Sequence, residues 1–111
     1  MLLVQFCTNI SLMKTRFEWD PAKAETNLRK HRVSFEIAAR AFADPFAVTE
    51  QDRIEGGEYR WQTLGLVGGH LLLLVAHTVW DDTGGVEVIR IISARRAEPK
   101  ERRRYEQNRS L

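Results

Sequence analysis

Two arginines and one histidine in three consecutive predicted strands have the chemistry needed to cleave a phosphodiester. The predicted strands and their candidates are 58–67 with Arg60, 70–80 with His77, and 86–94 with Arg90. Arginine presents a fork of donors to phosphate oxygens, and histidine accepts or releases a proton near neutral pH. Charge stabilisation and proton transfer are what a ribonuclease without a metal ion needs when a 2′-hydroxyl attacks the adjacent phosphate.

The expected pairing of these strands places the three side chains in one row. With residues 68–69 as a two-residue turn, Arg60 lies opposite His77, and a loop at 82–85 then places His77 opposite Arg90. Directly opposed residues share a face of the sheet. The flanking arginines are expected to lower the pKa of His77, which favours its neutral form. A slip of one residue would break the row. The alternative is that His77 bonds within the sheet and the arginines form ion pairs.

Further candidates lie in or near helix ends. The segment 89–109 carries eight lysines or arginines against three acids, although the formal net charge of the whole chain is only +2. Such a block indicates either an anion-binding surface or a solvated face. The candidate RNA-binding residues are Lys30, Arg95, Arg96 and Arg102. Tyr105 is a fourth catalytic candidate, as a proton donor. The alternatives are helix capping for Lys30, and anchoring of the terminal helix for Tyr105.

Local signals define the elements that must position these residues. Asp20-Pro21 begins a helix that runs to about His31, because Asp is a preferred N-cap and Pro suits the first turn. Ser34 begins a second helix, which Asp44-Pro45 ends. Strands follow at 46–50, 58–67, 70–80 and 86–94, and a last helix covers 98–108. The second helix is predicted to bury one stripe of apolar side chains, formed by Phe35, Ala38, Ala39 and Phe42. The order predicts an α+β fold with an antiparallel sheet, two N-terminal helices and a C-terminal helix.

Length and composition narrow the function classes. A chain of 111 residues predicts one domain, assigned here to 14–108, with 1–13 as an N-terminal extension or, alternatively, an edge strand at 2–6. One cysteine excludes an internal disulfide, and no metal-ligand spacing or cofactor fingerprint is present, so neither metal nor cofactor is expected. No apolar run is long enough to span a bilayer, and a cytoplasmic location is expected.

Several segments together resemble one protein family. They are Phe17 to Ala24, Asn27 to His31, Val33 to Glu36, Phe42 to Pro45, Glu58-Tyr59-Arg60, Gly65, His77-Thr78, Ile89 to Ala97, Glu101-Arg102 and Tyr105. This ordered set resembles BrnT-type toxins. The resemblance implies a RelE-like fold and RNA cleavage that inhibits translation, on the ribosome or off it. It also implies a BrnA-like antitoxin, operator DNA bound only through that antitoxin, and assembly as a homodimer or as a heterotetramer with the antitoxin.

Two departures from the family pattern leave alternatives open. Relatives usually have glycine where Arg32 stands, so either the helix has a strained left-handed cap or the cap differs in shape. Relatives often have Glu-Arg where Val79-Trp80 stand, which favours an inactive binding module or corepressor as the second hypothesis. The missing acid could instead come from Glu58, which the expected register places opposite Val79. A DNA-binding protein in its own right is the third hypothesis.

Overall fold

A six-stranded sheet with helices on both faces forms the protein. The structure, a computed structural model, describes residues 3–8 as backbone and residues 14–109 in full. The strands are β1 (Leu3–Thr8), β2 (Lys14–Trp19), β3 (Val48–Glu55), β4 (Glu58–Val67), β5 (Leu71–Asp81) and β6 (Glu87–Arg96). The helices are α1 (Pro21–His31), α2 (Phe35–Arg40), extended by a 3₁₀ turn at Ala41–Ala43, and α3 (Pro99–Arg109). The predicted α+β class is confirmed.

The strand order is β1-β2-β6-β5-β4-β3, and the sheet is mixed. Strand β2 pairs with β6 in parallel, whereas every other neighbouring pair is antiparallel. The expectation of a purely antiparallel sheet was therefore wrong, because β2 reaches β6 after α1, α2 and three strands and has no hairpin to set its direction. Strand β1 lies at the sheet edge, as the edge-strand alternative expected, while the domain boundary at residue 14 stays a prediction.

The helix boundaries follow the predicted caps. The Asp20 carboxylate accepts the Ala22 N–H at 2.9 Å, and the Ser34 hydroxyl accepts the Ile37 N–H at 3.1 Å. Arg32 ends α1 in the left-handed conformation, with φ of 61°, and its N–H donates to the Leu28 carbonyl. Of the two alternatives at this departure from the family pattern, the structure has the strained left-handed cap.

The face of the sheet under α1 and α2, called the helix-pair face, holds the main core. Side chains from β2, β5, β6, α1 and α2 meet there, including Phe17, Trp19, Phe35, Val75 and Ile91. The backbone of the 3₁₀ turn lies directly on β4, because a Cβ added at Gly65 would lie 2.2 Å from the Ala41 carbonyl oxygen. Gly65 is therefore required for this close packing.

The opposite face, called the α3 face, is covered over only part of its area. Tyr105 of α3 packs against Leu64, Leu72 and Leu74 near the ends of β4 and β5 that join in the Gly68-Gly69 turn. Beyond that cluster the long side chains of Arg16, Arg60, Trp80 and Arg90 lie over the sheet instead of a helix, since successive residues of a strand alternate between faces. We call this uncovered region the open half of the α3 face.

Both hairpins have one more loop residue than expected, so the predicted register was wrong. Gly68 and Gly69 lie in the turn, as predicted, and adopt positive φ, but the ladder begins at Val67↔Leu71, which leaves His70 in the loop. The next hairpin begins at Asp81↔Glu87 instead of Asp81 opposite Val86. A further shift in register follows between Ala76 and His77. Each slip moves the expected partner to the other face.

Candidate active site

A row of polar side chains crosses the open half of the α3 face. Glu18 of β2 pairs with Arg90 of β6, and Arg90 pairs with Thr78 of β5. The ladder between β4 and β5 ends at Trp61↔His77, so Arg60 is the first β4 residue beyond it and lies toward Thr78. The row is thus Glu18, Arg90, Thr78, Arg60, with a hydroxyl between two arginines where a histidine was expected.

The arginines of this row are held at one end by carboxylates. Glu18 is buried, and its two oxygens lie 3.2 Å from Arg16 and 4.0 Å from Arg90. Arg16 also lies 3.4 Å from Asp82, whose pKa is lowered by the N–H groups of Val86 and Gly84 in the β5–β6 loop. The Arg90 guanidinium lies 5.7 Å from the centre of the Trp80 ring. These contacts orient the Arg90 side chain across the face.

Several buried polar atoms of the open half have no hydrogen-bond partner among the described residues. They are the Nε atoms of Arg16, Arg60 and Arg90 and the hydroxyl of Thr78. Thr78 is only 4% exposed. A buried donor without a partner costs free energy, so such groups are rarely left unpaired unless a ligand or water completes them. Their concentration at one place, with guanidinium charges, describes a site for an anion.

His77 does not join this row. It pairs with Trp61 and Ile91 on the helix-pair face, where it is 3% exposed and contacts the Phe42 ring edge-on at 4.9 Å. Its Nε2 lies 2.8 Å from the Thr63 hydroxyl, which lies 2.8 Å from the Thr49 hydroxyl. The pKa of His77 is lowered to about 4, as expected in direction, but the cause is burial and not flanking arginines. The expected Arg60–His77–Arg90 row was therefore wrong.

Tyr105 lies on the α3 face but its hydroxyl is engaged. It donates to the Asp44 carboxylate at 2.5 Å, and the same oxygen accepts the Leu66 N–H at 2.8 Å. Burial and the adjacent carboxylate raise the pKa of Tyr105 to about 12, which makes proton release harder. This geometry matches the anchoring alternative, because the contact joins α3 to the turn that precedes β3.

The other predicted cations lie in two separate places. Arg95 forms a two-point ion pair with Glu101 at 2.9 and 2.8 Å, which raises the pKa of Arg95 and lowers that of Glu101. Arg96 and Arg102 are exposed near the junction of β6 and α3. Lys30 lies on α1, in a groove with Lys23 and Ser93, so the sheet separates it from the open half. Lys30 is thus apart from the three arginines, which lie at the end of β6 and the start of α3.

Sequence reasoning missed Glu18, Thr78 and Trp80 as members of the site. Thr78 and Trp80 share a face with Arg60 and Arg90 once the hairpin register is correct, so loop length was the missing signal. Glu18 joins them through the parallel β2–β6 pairing, for which the sequence holds no local signal. Glu58 lies two residues from Arg60 and therefore on the same face of the sheet. The expectation that Glu58 lies opposite Val79 was wrong, because Val79 is on the helix-pair face.

Two negative findings apply to the described part of the chain. No group of three or more histidine, cysteine or acidic side chains is placed to hold a metal ion. None of the helices among those residues has the length and apolar character required to span a bilayer.

Comparisons with known proteins agree on one family. Residues 19–101, more than half of the chain, match the family described as the ribonuclease toxin BrnT of type II toxin–antitoxin systems. The fold is similar to the 1.1 Å crystal structure of the Brucella abortus ribonuclease toxin BrnT, with a TM-score of 0.54 and 22% sequence identity over 72% of this chain and 92% of that chain. No curated protein sequence matches this one. The chain belongs to the BrnT family of ribonuclease toxins of type II toxin–antitoxin systems.

Proposed function

We propose that this protein cleaves RNA on the open half of the α3 face, with Arg60 and Arg90 as catalytic residues. The observation that carries the proposal is the buried, unpartnered Thr78 hydroxyl between two arginines whose Nε atoms also lack hydrogen-bond partners in the described chain. Family membership implies an RNA substrate and an antitoxin partner. A phosphate is the RNA group that satisfies guanidinium and hydroxyl donors together.

The arginines would act on the transition state. The ribose 2′-oxygen attacks the adjacent phosphorus, the bond to the 5′-oxygen breaks, and charge accumulates on the non-bridging oxygens between these events. Fixed donors directed at that charge stabilise it more than they stabilise the substrate. Glu18 is a positioning residue here, since it contacts Arg90 and Arg16 and holds them across the face.

The proton transfers would not pass through His77, because it is buried on the other face. The 2′-hydroxyl proton goes to water in this proposal, and water returns a proton to the leaving 5′-oxygen. Catalysis then rests on charge stabilisation without a metal ion. A rate that increases with hydroxide concentration, with no inflection at the ordinary histidine pKa, is the expected pH profile.

The domain bounds, cellular location, antitoxin and assembly are proposed from the family pattern. We propose a RelE-like domain spanning 14–108, translation inhibition in the cytoplasm, and neutralisation by a BrnA-like antitoxin that carries the operator-binding segment. Assembly as a homodimer, or as a heterotetramer with the antitoxin, belongs to the same proposal. Arg96 and Arg102 are proposed to contact the RNA backbone outside the row, since both are exposed.

The test compares Arg90→Ala with Arg109→Ala, which removes an equal charge from the end of α3, where Arg109 stacks on Phe46. Purified proteins are incubated with RNA in the presence of EDTA, and new 5′ ends are sequenced. We expect cleavage by the wild type and by Arg109→Ala, and a loss of about 100-fold to 1000-fold in Arg90→Ala. Equal cleavage by both variants would place the chemistry elsewhere. Binding of RNA or antitoxin with no cleavage by the folded wild type would favour the binding module.

A further inference from the structure

One end of the helix-pair face has apolar side chains that remain open to solvent. Ile54 of β3 pairs with Tyr59 of β4, and these two side chains are 59% and 55% exposed. Trp61, two residues along β4 from Tyr59, shares that face and is half-buried, as is Val79 of β5. Ile54, Tyr59 and Trp61 lie outside the main core, and Val79 lies at its margin. We call these four residues the apolar end of the helix-pair face.

The apolar end borders a cleft between two strands. The ladder of β4 and β5 stops at Trp61↔His77, although β5 continues to Asp81. A cleft of about 340 Å³ opens where the strands part, and Tyr59, Trp61 and Val79 help to line it. Exposed apolar side chains grouped around a concavity are typical of a surface that binds a protein, because an apolar side chain of the partner can be buried there.

The charges at this end of the sheet are divided between the two faces. Asp81 pairs with Glu87 and lies two residues from Val79, so both carboxylates are on the helix-pair face. Neither forms an ion pair with a described residue. Directly opposed like charges cost stability, and a cation supplied by a partner would relieve that cost. The arginines of the described strands at this end all lie on the α3 face; they are Arg16, Arg53, Arg60 and Arg90.

We infer that the antitoxin docks on the apolar end of the helix-pair face through a segment that carries an apolar side chain flanked by lysine or arginine. The inference rests on the proposed neutralisation by an antitoxin and adds where that protein binds. The two carboxylates disfavour RNA, whose phosphates they repel. They also disfavour a second copy of this chain, because a symmetric pair through this surface would bring the two acid pairs together. A basic, apolar protein segment complements both the charge and the exposed side chains.

The test measures antitoxin binding and RNA cleavage on the same purified variants. The small protein encoded beside this one is the probe, titrated by calorimetry into wild type, Tyr59→Ser, Asp81→Lys and Phe46→Ser. Phe46→Ser is the matched control, because Phe46 is an aromatic residue that is 44% exposed but lies in the turn before β3. Asp81→Lys is expected to fold, since it replaces a like-charge pair with an opposite-charge pair. Circular dichroism confirms the fold of each variant.

Tyr59→Ser should weaken antitoxin binding by about 30-fold or more, as loss of an aromatic anchor does. Asp81→Lys should weaken it by about 10-fold and reduce its dependence on salt. Phe46→Ser should bind like the wild type, and all three variants should cleave RNA at the wild-type rate, because the arginine row is on the other face.

Wild-type affinity for the antitoxin in a folded Tyr59→Ser or Asp81→Lys overturns the inference. Tighter RNA binding by Asp81→Lys, or a changed oligomeric state of Tyr59→Ser, with antitoxin binding intact, overturns it in favour of RNA or of a second copy. A wild type that does not bind the antitoxin refutes the proposed partner and the inference with it. The expected binding pattern in a protein that does not cleave RNA refutes only the ribonuclease proposal and supports the inference.

Discussion

The two faces of the sheet each bury a threonine hydroxyl, and the two hydroxyls differ in their hydrogen bonding. On the helix-pair face, the Thr63 hydroxyl has two partners, Thr49 and His77, and is 1% exposed. On the open half of the α3 face, the Thr78 hydroxyl is nearly as buried but has no partner within the described residues. Satisfied groups stabilise the fold, whereas unsatisfied groups cost stability. Under the proposed function, the helix-pair face contributes stability and the open half carries the RNA chemistry.

The largest effect on stability is expected from the pH dependence of His77. Below pH 6.5 the unfolded chain binds a proton at this histidine, but the folded protein does so only below about pH 4. The unfolded state therefore holds more protons between these values, so stability falls as the pH is lowered from 6.5 to 4, by about 3 kcal/mol from this residue. Urea unfolding of wild type and His77→Leu across this range measures it.

The His77→Leu variant should lose that part of the pH dependence, since leucine cannot ionise. Other groups with shifted pKa values, such as Asp82 and Glu101, are present in both proteins and cancel in the comparison. Parallel curves of unfolding free energy against pH would mean that His77 is accessible to protons in the folded state, and the division between faces would fail.

The Tyr105→Phe change tests the anchored part of the α3 face. Removing the hydroxyl that donates to the Asp44 carboxylate should cost about 2 kcal/mol of unfolding free energy, because the acceptor is charged and partly buried. RNA cleavage should continue at the wild-type rate when the assay temperature is well below the unfolding transition. If cleavage disappears while stability is retained, Tyr105 is a proton donor after all.

Substitutions at Thr63 and Thr78, one on each face of the sheet, give the most closely matched pair of variants. Thr63→Val should lower the unfolding free energy by about 1–2 kcal/mol and leave cleavage unchanged, since it deletes a satisfied hydroxyl. Thr78→Val should leave stability unchanged or raise it, and should slow cleavage by about 10-fold, as one donor to the phosphate is lost. Denaturation and cleavage assays on the same preparations compare them. Similar behaviour of the two variants would remove the distinction between faces.

The smallest effect concerns the left-handed cap of α1 on the helix-pair face. Arg32→Gly should raise the unfolding free energy by about 0.5–1 kcal/mol, because glycine adopts a φ of 61° without the penalty of a side chain. Thermal unfolding provides the measurement, with Arg29→Gly, a change within α1, as the destabilising control. A loss of stability in Arg32→Gly would show that the arginine side chain contributes more than the cap strain costs.

Features governed by local sequence were predictable. The caps at Asp20 and Ser34 and the position of the turn at glycines 68–69 all depend on a few adjacent residues, and the structure confirms them. Hairpin register is less local, because a single extra loop residue such as His70 reverses which face every side chain occupies.

The site itself depends on contacts that no short segment encodes. Glu18 reaches Arg90 through a parallel pairing of strands separated by two helices and three strands. Thr78 became a candidate only when its hydroxyl was found without a partner, which is a property of packing and not of residue type. Arg60 and Arg90 remain candidates from the sequence, because arginine on a strand retains its chemistry whichever neighbour it has.

The most direct measurement is the rate of RNA cleavage by purified wild type, Arg60→Ala and His77→Leu in one assay. The account predicts that Arg60→Ala loses about 100-fold or more, because a donor to the transition state is removed. His77→Leu should cleave at nearly the wild-type rate at neutral pH, since its site is on the helix-pair face. Loss of cleavage in a folded His77→Leu, with Arg60→Ala still active, would contradict the assignment of the chemistry to the open half.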